Sequence, residues 1–203
     1  MAFISVIISY LIGSLSFSYI LAKLLKKVDI RQYGSGNAGA TNTLRVLGLG
    51  PAIAVLLLDC LKGIVAVFIG LHFTDGNTVV AAMSGIAAIV GHNWPIFFGF
   101  RGGKGVATTI GVLASLVFFS ALISGIIAII SIFITRYVSL GSLIFIIGTT
   151  IFTWIFSGAF GYPDYYTYFL IVISLLTIWR HRANIKRLIE GNERKIGEKV
   201  TLE

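Results

Sequence analysis

The sequence predicts an all-α, polytopic integral membrane protein with seven transmembrane helices, an outer N-terminus and a cytoplasmic C-terminus. Three observations carry this. Of 203 residues, 57% are AVILMFWYC and a further 23 are glycine, while only 12% are charged; soluble domains hold about half apolar and about a quarter charged residues. The apolar stretches are continuous and broken mainly by Gly, Ser and Thr, whereas an outer-membrane barrel would alternate. Basic residues gather beside particular apolar runs, which sets the orientation. Seven spans of roughly 18 residues leave about 75 for loops and tails, so no separate soluble domain fits.

The first span, Phe3–Ala22, has no Lys or Arg before it and Lys23, Lys26 and Lys27 directly after it. It is a retained anchor, because a cleaved signal peptide carries its charges at the other end. Pro51–His72, Val79 to about Trp94, Leu140–Phe160 and Tyr165–Trp179 follow as spans, each bounded by Gly, Pro, Asp or a basic cluster. Val106–Thr135 is too long for one. As a single helix it would run about 45 Å, against a hydrocarbon layer of about 30 Å. Placing both the loop after Ala22 and the tail after Trp179 in the cytoplasm requires an odd number of crossings. The stretch is therefore expected to divide between Ser120 and Gly125 into two helices of about 22 Å each. Of the 16 Lys and Arg, all but Lys62 then lie in cytoplasmic segments, and the outer loops hold Asp75 and Asp164 without a cation. The net charge of +8 follows from orientation and anionic inner-leaflet lipid, and gives no support for nucleic-acid binding. The lone Cys60 is read as packing, and Leu202–Glu203 is assigned no role.

The glycine-rich and polar segments all fall on the cytoplasmic side: 34–45, 91–105 and 180–195. One shared site is the economical expectation, a single crevice beside the inner leaflet that accepts a dianion. In GSGNAGATNTLR (34–45) the glycines at 34, 36 and 39 let backbone N–H groups converge on an oxyanion, and Ser35, Asn37, Thr41 and Asn42 add neutral donors. The segment also fits G-x-G-x-x-G, but no strand precedes it, so the dinucleotide reading is rejected. A flexible glycine connection is the alternative. In GHNWPIFFGFRGGKG (91–105), Arg101, Gly102, Gly103, Lys104 and Gly105 stand directly before an apolar helix, where loop N–H groups, the helix dipole and a lysine act together on phosphate. It is not a Walker A loop, because Phe98 and Gly105 stand where glycine and Ser or Thr are needed. The bland reading is a basic loop with turning glycines, in which His92 is structural and Pro95 a helix stop. In RHRANIKRLIEGNERK (180–195), a helix from Trp179 would put His181, Asn184 and Leu188 near one face and Arg182, Lys186 and Glu193 elsewhere. A basic helix lying on lipid leaves His181 and Asn184 idle; a buried Glu190 or Glu193 would hold the tail to a cation.

Asp59 and Lys62 stand one turn apart inside their span. Intramembrane charges mark function by default, but mutual neutralisation makes an architectural pair the preferred reading. Three scattered histidines make no metal-ligand set, so neither metal nor cofactor is expected.

GSGNAGATN followed by Arg45, then GHNWPIFFGFRGGKGVAT, then RHRANIKRLIEGNE resemble the three signature segments of the bacterial acyl-phosphate:glycerol-3-phosphate acyltransferase family. The likeness covers essentially the whole chain; Arg101 departs from the family's usual Lys and keeps the charge. It implies one transmembrane catalytic domain over 1–203, at the cytoplasmic face of the bacterial inner membrane. It also implies transfer of a fatty acyl group from acyl phosphate to the 1-hydroxyl of glycerol 3-phosphate, giving lysophosphatidic acid and phosphate, the first acylation of phospholipid synthesis. Expected partners are acyl phosphate, glycerol 3-phosphate, membrane lipid and the soluble enzyme that forms acyl phosphate, with no nucleic acid.

On this reading the candidate catalytic residues are Ser35, His181 and Asn184. Ser35, Gly36, Asn37, Thr41 and the Gly102–Gly103 backbone form a hole for the donor phosphate. Arg45, Lys104, Arg182 and Asn184 bind glycerol 3-phosphate, and Ser142 joins the substrate-binding set. Asp59, Lys62, Glu190 and Glu193 are structural. The general base is either His181 or the donor's own phosphate. The competing classes are an anion transporter or channel with Asp59–Lys62 as its gate, and a lipid-binding scaffold.

Overall fold

A computed structural model of the chain describes residues 1–198, and Leu202–Glu203 lie outside the described residues. Those described are helical and contain no strand. In chain order the helices are α1 Ala2–Gly13, α2 Phe17–Lys26, α3 Ala40–Leu47, α4 Leu49–His72, α5 Thr78–Asn93, α6 Val106–Leu116, α7 Phe118–Thr135, α8 Val138–Phe160, α9 Tyr166–Arg180 and α10 Arg182–Ile189. Two short 3-10 turns, Ile30–Gln32 and Ile96–Phe98, interrupt the loops. Five runs are long and apolar enough to cross a membrane: Ala2–Lys26, Leu49–His72, Thr78–Phe98, Phe118–Thr135 and Val138–Phe160. Val106–Leu116 and Tyr166–Arg180 are apolar but shorter. Met1–Val112 form one compact unit and Leu113–Ile196 another.

In the first unit α1 and α4 pack on α5, and α3 packs on α4. The expected continuous span Phe3–Ala22 is in fact two helices parted at Ser14–Ser16. The break has a consequence for charge: it releases the Leu15 carbonyl, which accepts from Lys62 Nζ at 2.8 Å. Small residues let the helices approach, as in other membrane bundles. Gly63 of α4 lies against the Thr108 carbonyl of α6, and Gly111 of α6 against the Cys60 carbonyl of α4, so closely that a Cβ at either would strike backbone. This close crossing brings the start of α6 beside the turn of α4 that carries Asp59 and Lys62.

In the second unit α8 packs against both α7 and α9. Thr150 and Ser174 join α8 to α9 through hydroxyls 2.8 Å apart, the polar glue expected where neighbouring helices have no water. Phe133 and Trp154 stand 87% and 69% exposed, a surface suited to lipid rather than water. The division of 106–135 falls at Val117, three residues before the expected window, and gives unequal helices of 11 and 18 residues. No Gly, Pro or Asn marks that point. The first turn of α7 instead receives an outside partner, because the Phe119 N–H donates to the Tyr162 hydroxyl at 2.8 Å.

Candidate active site

The first glycine segment is shaped from both ends. Asp29 accepts from the Arg31 backbone N–H at 3.0 Å and from Arg31 Nη2 at 2.7 Å, closing the 3-10 turn Ile30–Gln32. Gly34 and Gly36 follow with φ of +62° and +71°, values that glycine reaches without strain. Asn42, only 1% exposed, accepts from the Ser35 N–H at 2.8 Å and donates to the Ile30 and Tyr33 carbonyls at 3.2 and 3.1 Å. Asn42 is therefore no ligand donor, contrary to expectation: its carboxamide is consumed in holding the loop. Ser35 and Gly36 are left exposed, while Asn37, Thr41 and Arg45 are half-buried, Arg45 in the last turn of α3.

The second glycine segment is tied to the first. Arg31 Nη1 donates to the Phe98 carbonyl at 2.7 Å, and the same guanidinium lies 4.8 Å from the centre of the Tyr19 ring. The Gly103 N–H donates to the His92 carbonyl at 3.1 Å. A Cβ on Gly103 would collide with His92 Nε2 and with the Ala38 carbonyl oxygen, so the two loops meet there. Gly102 and Lys104 are half-buried and Gly103 is buried, and α6 begins two residues after Lys104. Lys104 therefore stands just before the positive end of a helix, a setting that attracts an oxyanion.

Beneath these loops lies a buried polar trio. Asp59 and Lys62, 1% and 3% exposed, form an ion pair at 2.7 Å, as mutual neutralisation requires. His92 completes it, with Nδ1 2.9 Å from Lys62 Nζ and 3.6 Å from Asp59 Oδ1.

The third segment belongs to the second unit. The expected helix from Trp179 is interrupted at His181, which caps both α9 and α10. His181 is 2% exposed and Asn184 6%, whereas Arg182 and Lys186 are exposed. His181 Nδ1 lies 2.9 Å from the Thr177 carbonyl, which can only accept, so the proton sits on Nδ1 and Nε2 carries the lone pair of the neutral ring. Glu193 does not point away from this face. The chain turns at Gly191, φ +72°, and returns Glu193 to accept from Asn184 Nδ2 at 2.6 Å, Ser139 Oγ at 2.8 Å and Arg187 Nε at 2.7 Å. Burial alone would raise the Glu193 carboxyl, but these three donors outweigh it and hold it below the usual glutamate range. Glu190 is exposed and, among the described residues, pairs with Lys186 at 3.8 Å, a contact of small energetic weight. The Ser142 hydroxyl donates to the Val138 carbonyl of its own helix at 2.8 Å. The Arg182 guanidinium lies 4.4 Å from the centre of the Trp179 ring.

Two residues escaped the sequence reading in their present roles. By position alone Arg31 is one cytoplasmic cation among many, although the D-x-R spacing of Asp29 and Arg31 is a signal for a local clamp. The sequence marks His92 only as structural, and nothing local links it to an ion pair 30 residues away.

The family model described as Glycerol-3-phosphate acyltransferase matches residues 3–191. A glycerol-3-phosphate acyltransferase of Halalkalibacterium halodurans is 64% identical over 195 residues, 96% of this chain and 95% of that protein. The protein of the same name from Shouchella clausii is 58% identical over 196 residues, 96% of each chain. The fold is similar to the crystal structure of an integral membrane glycerol 3-phosphate acyltransferase in its glycerol 3-phosphate form, with a TM-score of 0.89, 41% identity, and coverage of 97% of this chain and 96% of that one. The lysophosphatidic acid form of that enzyme matches with a TM-score of 0.86.

Proposed function

This chain belongs to the glycerol-3-phosphate acyltransferase family, and we propose from that membership how its own residues carry the reaction. It is an acyltransferase that acylates glycerol 3-phosphate to lysophosphatidic acid. The donor is acyl phosphate and the second product is inorganic phosphate. The observation that carries this reading is the meeting of two glycine loops at Gly103 and Ala38, with Lys104 and the start of α6 beside them. Such a cradle suits a phosphate on a lipid donor better than a thioester carried on a soluble protein.

The glycerol 1-hydroxyl attacks the acyl carbonyl carbon, the carbon–oxygen bond to phosphate breaks, and phosphate departs with the electron pair. Because the donor is a mixed anhydride and already activated, the protein supplies orientation and charge stabilisation rather than a covalent intermediate. Ser35, Gly36, Asn37, Thr41 and the Gly102–Gly103 backbone receive the donor phosphate. Arg45, Lys104, Arg182 and Asn184 bind the acceptor phosphate, with Ser142 in support. The hydroxyl proton passes to the departing phosphate or to His181, whose lone pair on Nε2 suits that task. Asp59, Lys62 and Glu193 hold the elements in place.

The protein spans the bacterial inner membrane seven times, with α6 and α9 as the short crossings and the active site at the cytoplasmic face. Local thinning or neighbouring protein accommodates helices of 11 and 15 residues. A labile acyl phosphate favours delivery from a soluble enzyme close to that face. Purified protein in a lipid phase should release phosphate from palmitoyl phosphate only when glycerol 3-phosphate is present. Anion flux in liposomes without turnover would overturn the reading. Labelling of a cysteine at position 192 from outside intact cells would overturn the orientation.

A further inference from the structure

His92 has no part in the reaction as described, yet its ring is held between the Asp59–Lys62 pair and Gly103. Lys62 Nζ is surrounded by three acceptors: Asp59 Oδ1 at 2.7 Å, the Leu15 carbonyl at 2.8 Å and His92 Nδ1 at 2.9 Å. An ammonium has three N–H groups and no lone pair; it donates to the Leu15 carbonyl and to His92 Nδ1, while the Asp59 carboxylate balances its charge as an ion pair. The Leu15 carbonyl is available because the first span breaks at Ser14–Ser16, which makes the break part of the same arrangement. Nδ1 of His92 is thereby the accepting nitrogen, and the proton of the neutral ring sits on Nε2. That nitrogen faces Gly103, on which a Cβ would strike both His92 Nε2 and the Ala38 carbonyl oxygen. The Gly103 N–H meanwhile donates to the His92 carbonyl at 3.1 Å. Ring and backbone of one histidine thus bracket the middle of the second loop and press it against the first.

We propose that Asp59, Lys62 and His92 form a positioning chain for the donor-phosphate cradle. The ion pair fixes the tautomer and orientation of His92, and His92 sets Gly103 against Ala38, so that the N–H groups of both loops stay aimed at one point. An Asp59–Lys62 pair that only neutralised itself would need neither the histidine nor the Leu15 carbonyl. The proposal rests on reading the loops as the cradle for the donor phosphate, and it makes all three residues positioning residues rather than catalytic ones.

The test compares wild-type protein with His92→Ala, the double variant Asp59→Asn/Lys62→Met and Gly103→Ala. The double variant removes both charges together, because a lone buried charge would compromise folding. Gly103→Ala keeps the Asp59–Lys62 ion pair and places a Cβ against His92 Nε2 and the Ala38 carbonyl oxygen, which disturbs the meeting point directly. Two quantities are read: KM for palmitoyl phosphate and for glycerol 3-phosphate varied separately, and amide hydrogen exchange of residues 99–105. The expected result is a KM for palmitoyl phosphate raised tenfold or more in each variant, a KM for glycerol 3-phosphate within twofold of wild type, and faster exchange at residues 102–104. Both KM values within twofold of wild type, or equal rises in both, would overturn the proposal. If wild-type protein shows no glycerol 3-phosphate-dependent phosphate release, the donor reading has failed. Exchange then decides the chain by itself: unchanged protection at 102–104 in all three variants overturns it, and loss of protection supports it.

Discussion

Arg31 donates to the Phe98 carbonyl at 2.7 Å across 67 residues of sequence, while Asp29 grips the remaining face of its guanidinium. One side chain therefore closes the turn that leads into the first glycine loop and anchors the chain that leads into the second. Arginine suits this task because its rigid fork offers donors in two directions at once.

Replacing Arg31 by Met should free the Ile96–Arg101 turn and lower stability by about 1–3 kcal/mol, the range for a charged hydrogen bond. Thermal unfolding in detergent checks this. The contact also has a pH signature. Hydrogen bonds from Arg31 hold the Asp29 carboxyl below its ordinary value of 3.8. A depressed carboxylate stabilises the folded state fully above its unfolded pKa and loses that contribution as pH falls through the folded value. The stability gap between wild type and Asp29→Asn should stay constant from pH 7 to about 5 and shrink below about 4; a gap that widened on acidification would contradict the clamp.

Asn42→Ala should cost about 2 kcal/mol or more, because it removes one accepted and two donated hydrogen bonds that tie Ser35, Ile30 and Tyr33 together. Asn42→Asp should be no milder, since a carboxylate cannot donate to the Ile30 and Tyr33 carbonyls. Unfolding midpoints of the two variants decide it, with Asn42→Asp at wild-type stability as the adverse outcome.

Glu193 gathers Asn184, Ser139 and Arg187, and their donation holds its carboxyl low despite burial. Its contribution is present above the ordinary value of 4.5 and fades as pH falls through the lower folded value. Glu193→Ala should lose about 2 kcal/mol or more at neutral pH and release Asn184, with a smaller loss in acid. Stability curves at two pH values, read beside the KM for glycerol 3-phosphate, measure both effects.

Loss of a phosphate-binding cation worth roughly 3 kcal/mol should lower kcat/KM about 10²-fold, and Lys104→Met tests this directly. His181→Ala separates the two proton acceptors. A fall in kcat of about 10²-fold or more assigns the proton to the histidine, and a near-normal kcat assigns it to the departing phosphate.

Much of the molecule was legible in the sequence because burial in lipid leaves a coarse mark. The 30 residues of Val106–Thr135 exceed the membrane, so a division had to exist, and it does. Its position at Val117 was not legible, because what replaces the missing helical partner is the hydroxyl of Tyr162, 43 residues away from Phe119. The same holds for the break at Ser14–Ser16, where the exposed Leu15 carbonyl is taken by Lys62. In the glycine segments, residue type announced anion chemistry but not direction: Ser35 and Asn42 look alike as donors, and one faces outward while the other is turned in to hold the loop.

By itself the sequence determined the helical membrane class and the chemical character of its three polar segments, since apolar run length and residue type follow from the solvent each segment meets. Tertiary structure alone decided which backbone groups are released where helices break and which distant side chains receive them. A carbonyl or N–H buried away from water must find a partner, and the chain supplies that partner from wherever packing brings one near. That is how Lys62 comes to link Asp59, Leu15 and His92, residues of three separate helical runs.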